Sequence, residues 1–118
     1  MKLERGALVL VALDPVVGHE QRGIRPFIVI SDADVNLGQR YPLVAIVPVT
    51  STPGAGALYP ELRPSQLGLQ RTSYALIDQI RSVDKRRIVR LFGAVSLDEV
   101  KAIDTGLELF LGLGPNSP

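Results

Sequence analysis

Cysteine is absent from this chain of 118 residues, which excludes a disulfide scaffold and any metal site built on thiolates. The formal net charge is only +1, so a nucleic-acid-binding role would need a local basic patch. No stretch approaches the roughly 20 apolar residues of a membrane span. The first residues, MKLERG, lack the apolar core of a signal peptide. We therefore expect a cytoplasmic protein that has no contact with a membrane.

The composition also argues against several catalytic designs. With one histidine and no cysteine, a metal centre would depend on carboxylates, and the acidic residues are scattered without ligand spacing. His19 is the single histidine that could serve a Ser-His-Asp triad, and no serine lies in a nucleophile elbow. No glycine-rich phosphate loop precedes a helix. We expect neither a metal ion nor another cofactor.

Short apolar runs, separated by proline, glycine and polar residues, make up most of the chain. They predict strands over residues 7–13, 27–31, 43–49, 73–77 and 88–95. Pro48 lies inside the third run and cannot donate a hydrogen bond to a neighbouring strand, so we expect that strand at a sheet edge or with a bulge. The polar segment 32–42 predicts a connection with one helical turn.

One helix is predicted near the C-terminal end, over residues 97–111. Ser96 and Glu99 form a capping-box pattern before it, and Gly112 supplies a stop signal. Gly106 weakens this helix slightly. The helix carries one apolar stripe, which we expect in the core or in a dimer interface: Val100, Ile103, Leu107 and Phe110.

Many short strands and one terminal helix predict a mainly β (α+β) fold. The expected architecture is a small, strongly curved and partly open β-barrel that the helix partly covers. The chain length predicts a single domain, which we assign to residues 1–113. We expect the tail 114–118 to be disordered.

Charged and hydroxyl side chains lie at the ends of the predicted strands. Arg25 precedes the second strand, and Thr50 and Ser51 follow the third. If these strands are neighbours, Arg25 and Thr50 converge at one edge of the sheet. A guanidinium, a hydroxyl and a carboxylate such as Glu20 together suit a phosphate group. Each also has a simpler interpretation, because such arginines are commonly surface residues and Thr-Ser pairs are common in turns.

Four sequence blocks give these residues a context: RGALVLVALDP (5–15), GHEQRGIRPFIVIS (18–31), VPVTS (47–51) and DQIRSVDKRR (78–87). Together they resemble the MazF/PemK family of toxin endoribonucleases, and the similarity continues through the C-terminal helix to residue 113. The specific signal is the combination of EQ-x-G-x-RP with DQIRSVDKRR at this separation.

The resemblance implies a small SH3-like β-barrel that works as a homodimer and cleaves single-stranded RNA at a short recognition sequence without a metal. It implies neutralisation by a cognate antitoxin through an acidic, partly disordered segment. It assigns catalysis to Arg25, Thr50 and Glu20. The same blocks carry the residues that we predict to contact RNA: His19, Gln21, Ser51, Asp78, Gln79, Arg81, Lys85 and Arg86.

The implied chemistry uses the ribose 2′-OH as an internal nucleophile, which leaves a cyclic phosphate and a 5′-OH end. Arg25 is a poor base because a guanidinium stays protonated. The resemblance favours Glu20 as the base, while His19 is a chemical alternative that stays open. Two other functions remain at this point: a non-enzymatic toxin of the same fold that poisons DNA gyrase, and a catalytically silent barrel that binds RNA or protein.

Overall fold

The computed structural model describes residues 3–13, 23–66 and 68–114. It contains two α-helices, α1 (Ala33–Leu37) and α2 (Leu97–Leu111), and two short 3-10 turns at Ile77–Gln79 and Lys85–Arg87. The seven strands within these ranges are β1 (Ala7–Leu13), β2 (Gly23–Val29), β3 (Leu43–Thr50), β4 (Glu61–Leu62), β5 (Ser73–Ala75), β6 (Arg81–Asp84) and β7 (Ile88–Ala94).

The strands form one antiparallel sheet in the order β4-β5-β3-β2-β1-β7, and β6 also pairs with β3. The sheet curls into a half-barrel, and α2 follows its last strand. The predicted mainly β, partly open barrel with a C-terminal helix is therefore confirmed. None of the helices within the described ranges is long and apolar enough to cross a membrane.

Apolar side chains are buried on both faces of the sheet because successive residues of a strand point to opposite sides. In β1, Val9 and Val11 join a cluster with Ile46, whereas Leu8 belongs to a second cluster with Ile28. The buried face of α2 packs into this second cluster through Ile103 and Leu107. The helix thus covers one face of the curved sheet.

The predicted ends of α2 are confirmed. The Ser96 hydroxyl accepts the backbone N–H of Glu99, and the Glu99 carboxylate accepts the backbone N–H of Ser96. Gly112 ends the helix in the left-handed conformation, at a φ of 70°. Of the predicted stripe, Ile103 and Leu107 are buried, whereas Phe110 remains 44% exposed.

Gly106 lowers the helix propensity of α2, but its lack of a side chain allows close packing. A Cβ atom added there would lie only 2.6 Å from the carbonyl oxygen of Ala57. The absence of a side chain therefore lets the segment between β3 and β4 approach the helix backbone closely. At the other edge of α2, the Arg5 guanidinium donates to the Ile30 carbonyl oxygen and to the Asp104 carboxylate. The hydrogen bond to Asp104 raises the pKa of Arg5.

The prediction for Pro48 is wrong. Strand β3 lies inside the sheet, paired with β2 on one side and with β5 and β6 on the other. The Pro48 carbonyl accepts the N–H of Leu76, so its nitrogen faces that same side. This is the point where the partner of β3 changes from β6, which pairs as far as Ile46, to β5, which begins at Val49. No ladder hydrogen bond is lost there.

Three strands differ most from the sequence prediction. Strand β2 begins at Gly23, four residues before the predicted start, and β4 and β6 lie outside the predicted strand ranges. In β6 only Val83 is buried, while Arg81 and Ser82 are exposed. A strand that pairs mainly through its backbone has little apolar pattern to reveal it.

Candidate functional site

The site develops where β2 and β3 lie side by side. Their register pairs Phe27 with Pro48 and Val29 with Ile46. The same register, continued by two residues, puts Arg25 opposite Thr50. Both residues line one cavity of about 320 Å³. The structure therefore brings together the two residues that the sequence analysis expected to converge, and Ser51 lies with them.

The side chains of this cavity have free hydrogen-bonding capacity. Arg25 and Thr50 are half-buried, and Ser51 is exposed. The Thr50 hydroxyl oxygen accepts the backbone N–H of Thr52 at 3.1 Å, which leaves its own hydrogen available to a ligand. Within residues 3–13, 23–66 and 68–114, no acidic side chain pairs with Arg25. A half-buried guanidinium in this state suits an incoming anion.

Arg71, which the sequence analysis did not single out, lines the cavity from the side of β3 opposite to Arg25. Strand β5 pairs Tyr74 with Thr50. Gln70 and Arg71, just before β5, and Ser73, its first residue, line the cavity. The sequence gives little warning of this, because the described residues before β5, 63–66 and 68–72, form no helix or strand. The one sequence signal for Arg71 is that a basic residue shortly precedes a strand, as Arg25 does. This signal predicts a place in the site only when it is known which strands pair.

The basic segment 81–87 does not line this cavity; Arg81 pairs with Ile46 in the middle of β3, and the segment then runs away from Thr50. Asp84 pairs with Leu43 at the start of β3, seven residues from Thr50. At a rise of about 3.3 Å per residue the two ends of β3 are about 23 Å apart. Lys85 and Arg86 follow Asp84 and do not line the cavity.

The side chains of this segment have local partners. The Lys85 ammonium donates to the carbonyl oxygens of Val35 and Gly38, each at 2.8 Å, and so stabilises the end of α1. Arg86 donates to Asp84 through its side chain and its backbone, which lowers the pKa of Asp84 to about 2. Arg81 is exposed on β6. Contact of Arg81, Lys85 and Arg86 with RNA stays a prediction.

Asp78 and Gln79 form the exposed part of the turn after β5. The Tyr59 hydroxyl donates to the Asp78 carboxylate at 2.6 Å, which raises the pKa of Tyr59. This bond ties the segment between β3 and β4 to the turn. Neither Asp78 nor Gln79 lines the cavity of Arg25, so their predicted contact with RNA stays untested.

His19, Glu20 and Gln21 lie outside the described residues. Their flanks are described: Leu13 at the end of β1 pairs with Gly23 at the start of β2, two residues before Arg25. Among the residues that the structure describes, no group of three or more His, Asp or Glu side chains could hold a metal ion. Among the described residues that line the cavity, the cationic groups are Arg25 and Arg71.

Comparison with known proteins gives this geometry a family context. The sequence profile of a family described as "PemK-like, MazF-like toxin of type II toxin-antitoxin system" matches residues 4–111. Endoribonuclease EndoA of Bacillus subtilis (strain 168) is 32% identical over 116 residues, which cover 96% of this chain and 97% of the relative.

Solved structures agree with this match. A MazE-MazF complex (Form-II) from Deinococcus radiodurans is 30% identical, with a TM-score of 0.79 over 97% of this chain and 99% of the other. An endoribonuclease in complex with its cognate antitoxin from Mycobacterial species has a TM-score of 0.74, over 94% of this chain and 96% of the other. At 23% identity, this second likeness concerns the fold.

Proposed function

Since the chain belongs to the PemK-like, MazF-like toxin family of type II toxin–antitoxin systems, we propose that its RNA substrate is cut in the cavity between Arg25, Thr50 and Arg71. The chain is an endoribonuclease of this family. The observation that carries the location is that one cavity holds both the Thr50 hydroxyl and a half-buried Arg25 that has no acidic partner among the described residues. We propose single-stranded RNA, cut at a short recognition sequence, as the substrate.

The proposed reaction is an internal transesterification. The ribose 2′-oxygen attacks the adjacent phosphorus, an O2′–P bond forms, and the P–O5′ bond breaks. The 2′ proton passes to a base and the leaving 5′-oxygen takes up a proton, so the products are a cyclic phosphate and a 5′-OH end. Charge accumulates on the phosphoryl oxygens in the transition state, and groups fixed beside them in advance accelerate the reaction.

We assign two of these roles to described residues. The Arg25 guanidinium binds the phosphoryl oxygens through its two parallel N–H groups. The Thr50 hydroxyl, which accepts from Thr52, donates its remaining hydrogen to the same phosphate. The proton acceptor is Glu20, with His19 as the chemical alternative, and both lie outside the described residues.

The cognate antitoxin is the expected protein partner. The Deinococcus radiodurans relative is seen as a MazE-MazF complex, which supports an antitoxin for this chain as well. A cavity lined by arginines attracts a carboxylate as readily as a phosphate. We propose that an acidic, partly disordered antitoxin segment occupies the cavity and thereby excludes RNA. An mRNA substrate would make the cytoplasm the site of action.

A homodimer is the second proposed assembly. Leu109, Phe110 and Leu111 at the end of α2 are 62%, 44% and 48% exposed, and large apolar side chains exposed close together commonly mark an interface. Sedimentation velocity at micromolar concentration is expected to give about twice the 12.8 kDa chain mass. Phe110→Asp should shift the protein towards the monomer, whereas Leu97→Asp at the other end of α2 should not. A wild-type monomer would contradict the proposal.

The experiment that tests the function is incubation of the purified protein with a long single-stranded RNA in excess EDTA, with both ends at each cut mapped. We expect discrete cuts with cyclic phosphate and 5′-OH ends, because arginines and a hydroxyl rather than a bound metal stabilise the transition state. Loss of cleavage in EDTA with recovery on adding Mg²⁺ would contradict this mechanism. Failure of a folded protein to cut any of several RNAs would favour the gyrase-poison or silent-binding alternatives.

A further inference from the structure

The segment between β4 and β5, of which residues 63–66 and 68–72 are described, forms one wall of the cavity; we call these described residues the wall loop. Its ends are fixed by the pairing of Leu62 with Ser73. Leu69, Gln70 and Arg71 of the loop line the cavity together with Arg25 and Thr50. The position of the wall loop therefore sets the width of the cavity and the position of Arg71.

Arg71 has the properties of an RNA-binding residue. It is exposed, and within the described part of the chain its guanidinium has no hydrogen-bond or ion-pair partner. Its backbone is held, because its carbonyl oxygen accepts the Ser73 hydroxyl at 3.0 Å. Arg25 and Arg71 flank the end of β3 from opposite sides. Two guanidinium groups on either side of one cavity suit successive phosphates of one RNA strand.

The wall loop is attached to helix α2 through Glu99. One oxygen of the Glu99 carboxylate accepts the Ser96 N–H at 2.8 Å and so closes the capping box. The other oxygen accepts the backbone N–H of Arg63, the first residue of the loop, at 2.6 Å. A capping box needs only the first bond. The second is a charge-assisted bond between elements 36 residues apart.

Further contacts of the wall loop connect the bond between Glu99 and Arg63 to the residues that line the cavity. Inside the loop, the Ser65 N–H donates to the Leu69 carbonyl at 2.9 Å. Gly68 lies against Leu8, because an added Cβ atom would be 3.2 Å from that side chain. Leu69 lines the cavity of Arg25 on one side and a second cavity of about 410 Å³, which Glu99 also lines, on the other. Ser65, Gly68 and Leu69 thus connect the start of the wall loop to the sheet and to the cavity.

We propose that Arg71 binds an RNA phosphate next to the one held by Arg25, and that Glu99 is a positioning residue that holds the wall loop, and with it Arg71, in place. The inference rests on the proposed function. It adds a binding residue and a remote residue that acts through it. Glu99 itself, at the start of α2, has no part in the chemistry.

Replacement of Glu99 by glutamine separates the two bonds. Glutamine has one acceptor oxygen and one amide nitrogen that cannot accept, so one of the two backbone N–H groups loses its partner. The capping box tolerates glutamine at this position, so we expect the bond to Arg63 to be lost. Ser96→Ala is the matched control, because it removes the reciprocal capping bond and leaves the bond between Glu99 and Arg63 intact.

The experiment measures kcat and KM for RNA cleavage, and the Kd for an RNA with a 2′-deoxy cut site, for Glu99→Gln, Ser96→Ala, Arg71→Ala and the Glu99→Gln/Arg71→Ala double variant. We expect Arg71→Ala to raise KM and Kd about tenfold, and Glu99→Gln about threefold to tenfold, with kcat nearly unchanged. Arg71→Ala should also reduce the slope of log Kd against log salt by about 0.7. The double variant should bind no more weakly than Arg71→Ala alone.

A merely structural effect of Glu99 would look different. Ser96→Ala and Glu99→Gln would then lower the melting temperature together and change KM alike, which would overturn the positioning role. Full additivity of Glu99→Gln and Arg71→Ala would also overturn it. An unchanged KM, Kd and salt slope in Arg71→Ala would remove Arg71 from RNA binding. Absence of cleavage by the wild-type protein, in contrast, would contradict the proposed function itself.

Discussion

Replacement of Arg25 by alanine is expected to lower the rate of RNA cleavage by about 10²- to 10³-fold, the usual cost of removing one group that stabilises developing negative charge. Arg25 is half-buried in the cavity and has no acidic partner within the described ranges. Its removal breaks no ion pair among them, so the melting temperature should change little. The measurement is the single-turnover cleavage rate at saturating protein, together with thermal unfolding followed by circular dichroism.

Two further variants make this result specific. Arg25→Lys keeps the charge but loses the planar pair of N–H groups, so it should recover only part of the rate. Arg40→Ala removes an exposed arginine that precedes the opposite end of β3, and it should cut at nearly the wild-type rate. An Arg25→Ala protein that cuts within about threefold of wild type would exclude a transition-state role for this residue.

Replacement of Thr50 by valine is expected to lower the single-turnover rate by about 10²-fold while the Kd for RNA stays within about threefold of the wild-type value. Valine keeps the branched shape that suits the end of a strand, but it removes the hydrogen that we assign to the scissile phosphate. A bond that forms mainly in the transition state affects the rate far more than binding. Binding is measured with an RNA that carries a 2′-deoxy cut site.

Thr50→Ser is the control for Thr50→Val, because it keeps the hydroxyl with its bond to Thr52 and removes only the methyl group. The Thr50 oxygen accepts the N–H of Thr52, so valine also removes a turn contact. Serine retains both the acceptor and the donor and should restore most of the rate. Since serine keeps the bond to Thr52 as well as the donor hydrogen, a serine variant that fails to restore the rate would make the methyl group, and not the hydroxyl, the important feature. If valine cleaves as fast as wild type, Thr50 has no role in the mechanism.

Thr50→Val and Arg71→Ala together distinguish residues that act in the reaction from residues that bind RNA. Loss of rate without loss of binding in Thr50→Val, beside loss of binding without loss of rate in Arg71→Ala, would separate a reacting centre from a binding wall. Arg25 lies between the two, because a guanidinium that holds the scissile phosphate contributes in the ground state and more strongly in the transition state. The family assignment fixes the class of reaction; these measurements assign it to individual residues.

The local elements of the fold could be predicted from the sequence because their signals are local. The apolar run of β1 gave the limits Ala7–Leu13, and the capping box and Gly112 gave both ends of α2. Capping depends on side chains within four residues of the helix end. The family resemblance rests on the same kind of information, since short blocks of residue types in a fixed order along the chain carry it.

The convergence of Arg25 and Thr50 was expected only on the condition that their strands were neighbours. The register of β2 and β3 supplies that condition. The residues of the segment 78–87 looked equivalent in the sequence, yet Lys85 is used to close α1 and lies near the far end of β3 from Thr50. A charged side chain has no sequence signal for its partner when that partner is a carbonyl 50 residues away.

The sequence by itself determined the class of fold, the ends of β1 and α2, the candidate pair Arg25 and Thr50, and the family. Only the tertiary structure decided that Pro48 lies inside the sheet at a change of strand partner, that β6 exists, and that Arg71 completes the cavity. The physical reason is the range of the interactions. Caps and apolar periodicity depend on residues a few positions apart, whereas strand pairing and cavity walls depend on contacts between distant segments, which form only when the whole chain packs.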